Sequence, residues 1–246
     1  MTHFSANINR IALLRNSRDN GLPDLIACAG IILDAGAAGI TVHPRPDERH
    51  IRAGDIEPIA ALVKKYTGRE FNIEGNPHHN LMQIVESLGG LRPQQVTLVP
   101  DALDVATSNR GFAAGAEMNA VTPLIARLKA LGARVSVFVD ADIASVRAAA
   151  EAGSDRVEIY TEPYARAFTE GAGDAALRPF AAAANEARKL GLGVNAGHDL
   201  NLKNLPALLA ALKPDEVSIG HAFISDALLM GLDATTRAYC ELCARG

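Results

Sequence analysis

Apolar positions along this chain follow two periods that take turns. Short β-rich apolar runs, such as "RVSVFV" at 134–139, are separated by longer Ala-rich stretches whose apolar residues recur at the spacing of a helix face. The junctions share a phrase: "DAGAAGITV" at 34–42, "LGARVSVFVD" at 131–140, "AGSDRVEIY" at 152–160 and "LGLGVNAG" at 190–197. Each reads as a helix end, a glycine and a strand. Gly36, Gly132, Gly153 and Gly191 suit the left-handed position just past a helix, where a Cβ would clash.

Extending outward from these junctions predicts eight strands, near Phe4–Asn9, Gly39–His43, Glu70–Ile73, Gln95–Leu98, Arg134–Val139, Arg156–Tyr160, Gly193–Ala196 and Glu216–Gly220. Helical periodicity covers Asp24–Ala35, Asp55–Tyr66, Asn80–Leu88, Met118–Leu131, Ile143–Ala152, Ala175–Leu190 and Leu202–Leu212. Eight βα units within 246 residues predict a single (β/α)8 TIM barrel spanning 1–246, with no Pro/Gly/Ser-rich linker dividing it. A doubly wound open sheet is the competing architecture. Its Gly-rich dinucleotide fingerprint is missing from "NINRIALLRNSRDNGLPD".

Composition narrows the function classes. The chain is 48% hydrophobic and 21% charged with a formal net charge of −4, and no Lys/Arg run exceeds two residues. The electrostatic footprint of a nucleic-acid binder is therefore absent. No apolar stretch approaches a membrane span, and "MTHFSANINR" lacks the apolar region of a signal peptide, so a cytoplasmic protein is expected. Cys28, Cys240 and Cys243 are too few for a disulfide framework and are expected as thiols; "CELC" falls in the last helix without a second ligand pair.

Barrels carry chemistry on the loops after their strands. Those positions hold Asn7, Asn9 and Arg10 after the first strand, His43 and Arg45 after the second, and Glu74 after the third. Glu158 and Thr161 follow at the sixth, Asn195 and His198 at the seventh and His221 at the eighth. Four of the seven histidines, His43, His50, His198 and His221, follow strands in this way, whereas His3, His78 and His79 lie elsewhere. Imidazoles and a carboxylate converging from several strands suit repeated proton transfer near neutral pH. The same His43, His198, His221 and Glu74 could instead ligate a divalent metal, although no H-x-H or H-E-x-x-H pair supports that.

Arg18, Arg45 and Arg110 fall in βα loops, and guanidinium groups suit bidentate capture of phosphate. In "SIGHAF", Gly220 leaves backbone N–H groups open just ahead of a helix, a second anion device. All six lysines lie in helices or their connections, which disfavours Schiff-base chemistry on the protein. The long loop "VPDALDVATSNRGFAAGAE" after the fourth strand has the length of a lid.

Together "NINRIALLRNSR", "GITVHPRPDERHI", "NIEGN", "TLVPD", "NAGHDL" and "SIGHA" resemble the pyridoxine 5'-phosphate synthase family, in order and over nearly the whole chain. The resemblance implies a homo-octameric (β/α)8 barrel, without metal or organic cofactor. It implies condensation of 3-amino-2-oxopropyl phosphate with 1-deoxy-D-xylulose 5-phosphate to pyridoxine 5'-phosphate, phosphate and water. It further implies that His43 and Glu74 accept protons, that His198 donates one, and that Glu158 supports the charge of the transition state. Asn7, Arg18, Asp199, Gly220 and His221 would contact the aminoketone phosphate, and Arg45, His50 and Thr107 the ketose phosphate. Asn9-Arg10 stands where Asp-His is usual, and Asp199 where a glycine often follows the histidine. A metal-dependent aldolase or hydrolase, or a non-catalytic phosphate-binding barrel, are the alternatives on the residues alone.

Overall fold

The computed structural model describes residues 1–102, 105 and 107–246. Eight parallel strands close into a barrel in sequence order: β1 (His3–Asn7), β2 (Gly39–Val42), β3 (Glu70–Gly75), β4 (Gln95–Leu98), β5 (Arg134–Val139), β6 (Arg156–Tyr160), β7 (Gly193–Gly197) and β8 (Glu216–Ile219). Around them run α1 (Asn9–Asn16), α2 (Leu25–Asp34), α3 (Ala53–Val63), α4 (Leu81–Ser87), α5 (Ala116–Ala130) and α6 (Ile143–Glu151). The ring is completed by α7 (Glu162–Thr169), α8 (Gly173–Lys189), α9 (Leu205–Leu212), α10 (His221–Met230) and α11 (Leu232–Arg245). β1 pairs with β8 from His3 opposite Glu216 to Ala6 opposite Ile219, which closes the sheet and leaves no edge.

Side chains alternate across each strand, and here the alternation sorts polarity. The apolar set, including Ile40, Val42, Ile73, Val96, Val137, Val157, Val194 and Val217, is fully buried and packs outward against helix residues such as Ile32, Ile59, Leu128 and Leu208. The opposite set is polar and fills the barrel: Ser5, Thr41, Asn72, Gln95, Thr97, Glu158, Asn195, Glu216 and Ser218 are all buried. A polar interior must satisfy its own hydrogen bonds. Ser5 Oγ lies 2.7 Å from Thr41 Oγ1, Asn72 donates to Thr41 at 3.3 Å and Thr97 donates to Asn72 at 3.2 Å. Deeper in the barrel, Gln95 donates to Glu216 at 3.1 Å and Asn195 donates to Gln95 at 3.3 Å. The dry core therefore lies between sheet and helices, and the barrel centre is free to hold buried carboxyl groups.

Gly36, Gly132, Gly153 and Gly191 all have positive φ at the expected helix exits. The expected strand Phe4–Asn9 is shorter, because Asn7 Oδ1 accepts the Asn9 N–H at 3.1 Å and turns the chain into α1. The periodic ranges leave out α1 and α7, each eight residues long and too short to show a sustained face, and they stop before α10 and α11. β8 stops at Ile219 because Gly220 begins α10. No helix among the described residues is long and apolar enough to cross a membrane. In the proposed lid, Leu103, Asp104 and Ala106 lie outside the described residues.

Candidate active site

β1, β3, β5, β6 and β8 each contribute a polar or aromatic side chain, and the segments that follow β2, β4 and β7 supply His43, Thr107, Ser108 and His198, to a cavity of about 260 Å³ at the C-terminal mouth of the barrel. Asn7, His43, Arg45, His50, Glu74, Thr107, Glu158, His198, Asp199, Gly220 and His221 all line it. Arg18 does not: α1 ends before it, and its side chain is exposed to solvent. Arg110 also stays outside, paired with Glu117 at 2.8 Å. Asn195 sits one layer deeper, accepting from Arg156 at 2.8 Å. The cationic rim keeps the expected Arg45 and adds Arg10, which follows the first strand, and Arg49.

Glu74 belongs to β3 itself, which is why it is buried inside the barrel. Ser218 donates to its Oε1 at 3.3 Å and Asn7 to its Oε2 at 3.4 Å. Burial first, then the nearby Asp101 carboxylate, pushes the Glu74 carboxyl up to about 8. Glu158, equally buried, is raised well above the ordinary carboxylate range by burial and then by Glu74, and its Oε2 has no hydrogen-bond partner. Gly197 is required here, since a Cβ would run into the Glu158 carboxyl. Around neutral pH the empty site thus stores protons on carboxyl groups.

His43 lies between two carboxyls. Its Nε2 is 3.3 Å from Asp101 Oδ2 and its Nδ1 is 3.8 Å from Glu74 Oε2, while its backbone N–H donates to Asn9 Oδ1 at 2.9 Å. Asp101 also accepts from Arg45 Nη2 at 2.6 Å, and Arg45 Nη1 donates to the Val105 carbonyl at 2.8 Å. Burial, then Arg45 and Arg49, lowers the His43 imidazole to about 3, and burial, then His43 and the nearby arginines, lowers His50 to about 3. His50 Nδ1 accepts from the Ile51 N–H at 2.9 Å, which turns Nε2 away from the backbone. Both rings are neutral bases at neutral pH.

His198 follows β7 in an unusual backbone state: His198 has φ +92° and Asp199 φ +57°. Left-handed conformations at residues with a Cβ each cost about 1–3 kcal/mol and gather at functional sites. The ring meets Thr107 Oγ1 through Nε2 at 3.1 Å and packs edge-on against Tyr160, with centroids 5.0 Å apart. Its Nδ1 is 3.2 Å from Asp199 Oδ2, within ion-pair reach but not aligned as a hydrogen bond, and the imidazole holds the Asp199 carboxyl below its usual range. Val99, Phe138 and Tyr160 form a separate apolar cluster, of which Val99 and Phe138 reach the wall.

Sequence reasoning missed Asp101, Ser218 and Phe138. Asp101 stood in the quoted "TLVPD" beyond β4, a readable signal; Ser218 and Phe138 lie on strands, where only the period-two alternation points them inward. Among the described residues no group of three His, Cys, Asp or Glu side chains is arranged to hold a metal ion.

The shifted groups set a stability profile. A histidine depressed to about 3 stays neutral when folded but takes a proton below about 6.5 when unfolded, so its stabilisation is lost as pH falls from there towards 3. A carboxyl raised to about 8 favours folding less and less as pH climbs from about 4.5 to 8. The two effects oppose each other between those limits. Urea unfolding is expected to show a plateau from about pH 4.5 to 6.5 with a decline on both sides, and His50→Asn to soften the acid decline and tilt the plateau downwards with rising pH while leaving the decline above about 6.5 unchanged.

Known proteins bear on this geometry. The family model described as "Pyridoxal phosphate biosynthesis protein PdxJ" matches residues 4–245. The pyridoxine 5'-phosphate synthase of Albidiferax ferrireducens is 50% identical over 248 residues, covering 100% of this chain and 98% of its own. Those of Xanthomonas axonopodis pv. citri and Porphyromonas gingivalis are 49% and 48% identical, covering 100% and 97% of this chain and 98% of each relative. Among solved structures, a chain of tryptophan synthase from M. tuberculosis superposes with TM-score 0.67 at 12% identity, over 99% of this chain and 91% of that one. Phosphoribosylanthranilate isomerase from Thermotoga maritima gives 0.57 at 11%, over 100% of both chains, and at such identity these two speak to the fold alone. Half of all positions shared from end to end is a statement about descent as well as shape, and the chain belongs to the pyridoxine 5'-phosphate synthase family.

Proposed function

We propose that the chain condenses 3-amino-2-oxopropyl phosphate with 1-deoxy-D-xylulose 5-phosphate to give pyridoxine 5'-phosphate, phosphate and water. The observation that carries this reading is one cavity shared by Glu74, His43 and His198 together with Arg45, His50 and Gly220. Acid/base groups at its centre and anion-binding groups at its rim suit two phosphorylated carbonyl compounds that must exchange several protons.

The amine that starts the reaction comes from the aminoketone, since none of the chain's lysines lines the cavity. It attacks the ketose carbonyl and water leaves. His43, neutral and 3.8 Å from Glu74, takes the first proton as the adduct enolises, and Glu74, which holds a proton at neutral pH, gives that proton up and then takes one in turn. His198, which lines the same cavity, donates the proton that a departing oxygen needs; the phosphate of the ketose is expelled, and a carbon–carbon bond to the aminoketone carbonyl closes the ring with loss of water. Glu158, which lines the same cavity, meets the charge that develops. Arg45, fixed by Asp101 and the Val105 carbonyl, presents its remaining guanidinium surface with His50 and Thr107 to the ketose phosphate. The backbone at Gly220 and His221, opening α10, receives the phosphate group of the aminoketone, while Asn7 and Asp199 complete the side of the cavity that holds the rest of that substrate. A Cβ at Gly220 would press within 3.2 Å of Asn7, so glycine keeps that cradle open.

The test is incubation with both substrates and identification of the product by mass. Pyridoxine 5'-phosphate that vanishes when either substrate is omitted supports the reading; its absence from folded protein rejects it. Arg45→Lys keeps the charge but loses the planar fork, and is expected to raise KM for the ketose phosphate about 10- to 100-fold. An unchanged KM would remove Arg45 from that phosphate. The same reading carries a homo-octamer, to which the exposed Leu228, Leu229 and Met230 of α10 offer an apolar face, and light scattering reads the assembly.

A further inference from the structure

The His198–Asp199 turn is held in its left-handed state by one residue that no role yet covers. Thr161 is fully buried and stands at the N-cap of α7, where a threonine ordinarily accepts a helix N–H through its side chain. Here it makes no side-chain cap bond. Its hydroxyl points the other way, 2.7 Å from the Gly197 carbonyl and 2.5 Å from the His198 carbonyl, and its backbone N–H donates to Gly197 at 2.9 Å. One hydroxyl proton shared between consecutive carbonyls requires both to face the same donor, and that arrangement goes with a chain that reverses sharply after β7.

The far side of the turn is gripped as well. Asn204, 1% exposed, donates from Nδ2 to the Asp199 carbonyl at 3.1 Å and is itself tied to Asn201 and, through its own carbonyl, to the Tyr164 hydroxyl at 2.6 Å. Tyr164 lies on α7, directly beyond Thr161, so both grips originate near the same helix start. We propose that Thr161 is a positioning residue for His198: by anchoring the Gly197 and His198 carbonyls it fixes the left-handed turn that carries the imidazole over the cavity. The inference rests on the proposed proton-donor role of His198.

Thr161→Val keeps the shape and removes the hydroxyl. Because small misplacements of a reacting group are costly, kcat is expected to fall about 30- to 100-fold, with KM for either substrate within about threefold. Thr161→Ser restores the hydroxyl and should recover kcat to within about threefold. In a His198→Gln background, Thr161→Val should change kcat by less than about twofold, because residues acting as a unit are not additive. If the valine variant does not fold, Thr161→Ala, which leaves room for water at the carbonyls, is expected to lose about 10-fold with the same non-additivity.

Slow turnover in His198→Gln alongside wild-type kcat in folded Thr161→Val would overturn the positioning role alone. So would a Thr161→Val loss of equal size with and without His198. Wild-type turnover in His198→Gln would overturn the proton-donor role and the inference with it.

Discussion

Glu74→Gln is expected to lower kcat by roughly 10²- to 10⁴-fold while making the protein more stable, an unusual pairing with one physical cause. The carboxyl is held in the barrel with Ser218 and Asn7 as its hydrogen-bond partners, and burial pushes it up to about 8. In the unfolded chain it would ionise near pH 4.5, so folding must keep it protonated at a cost that grows with pH until about 8. Glutamine carries no such cost. The variant should exceed wild type by about 2 kcal/mol or more at pH 9 and by little at pH 4.5. Urea unfolding at the two pH values, with kcat at one of them, checks both halves. Lost activity without gained alkaline stability would mean that Glu74 is not held protonated by the fold.

Asp101→Asn, a carboxyl-to-amide change just behind the cavity residues His43 and Arg45, is expected to have the opposite effect on stability. Asp101 is buried and shares Oδ2 between Arg45 at 2.6 Å and His43 at 3.3 Å. Removing its charge leaves a buried guanidinium without its counter-ion, a loss of at least about 2 kcal/mol. It also reverses the polarity presented to His43. A carboxylate at Nε2 favours the tautomer with its proton there and a lone pair on Nδ1 towards Glu74; an amide can donate to Nε2 and move the proton to Nδ1. Turnover is expected to fall about 10²-fold or more with a lower unfolding midpoint. Wild-type kcat in Asp101→Asn would show that His43 needs no tautomer control.

Much of this arrangement was legible in the chain because strand ends announce themselves. The positive-φ glycines Gly36, Gly132, Gly153 and Gly191 mark helix exits, and counting forward from them reaches Glu158 and His198. Glu74 was legible by type and depth, since a lone carboxylate closing an apolar strand has few reasons to be there. Arg18 was not legible. Its position relative to the cavity depends on where α1 ends, and α1 is a short helix started by an asparagine side chain rather than by a periodic face. Arg10, the second residue of that helix, reaches the wall in its place. Asp101 and the pairing of Arg45 with the Val105 carbonyl depend on how two loops meet, and no local pattern encodes a contact 56 or 60 residues away. Thr161 illustrates the same limit, since its sequence context predicts a helix cap and its hydroxyl serves another strand.

A single time course decides whether this cavity carries out the condensation: chelator-treated protein receives both phosphorylated substrates while released phosphate and pyridoxine-ring absorbance are recorded together. The two signals are expected to rise in step, one phosphate for each ring, and neither to rise in Glu74→Gln at the same protein concentration. Phosphate released without ring formation, or unimpaired ring formation in Glu74→Gln, would contradict that expectation.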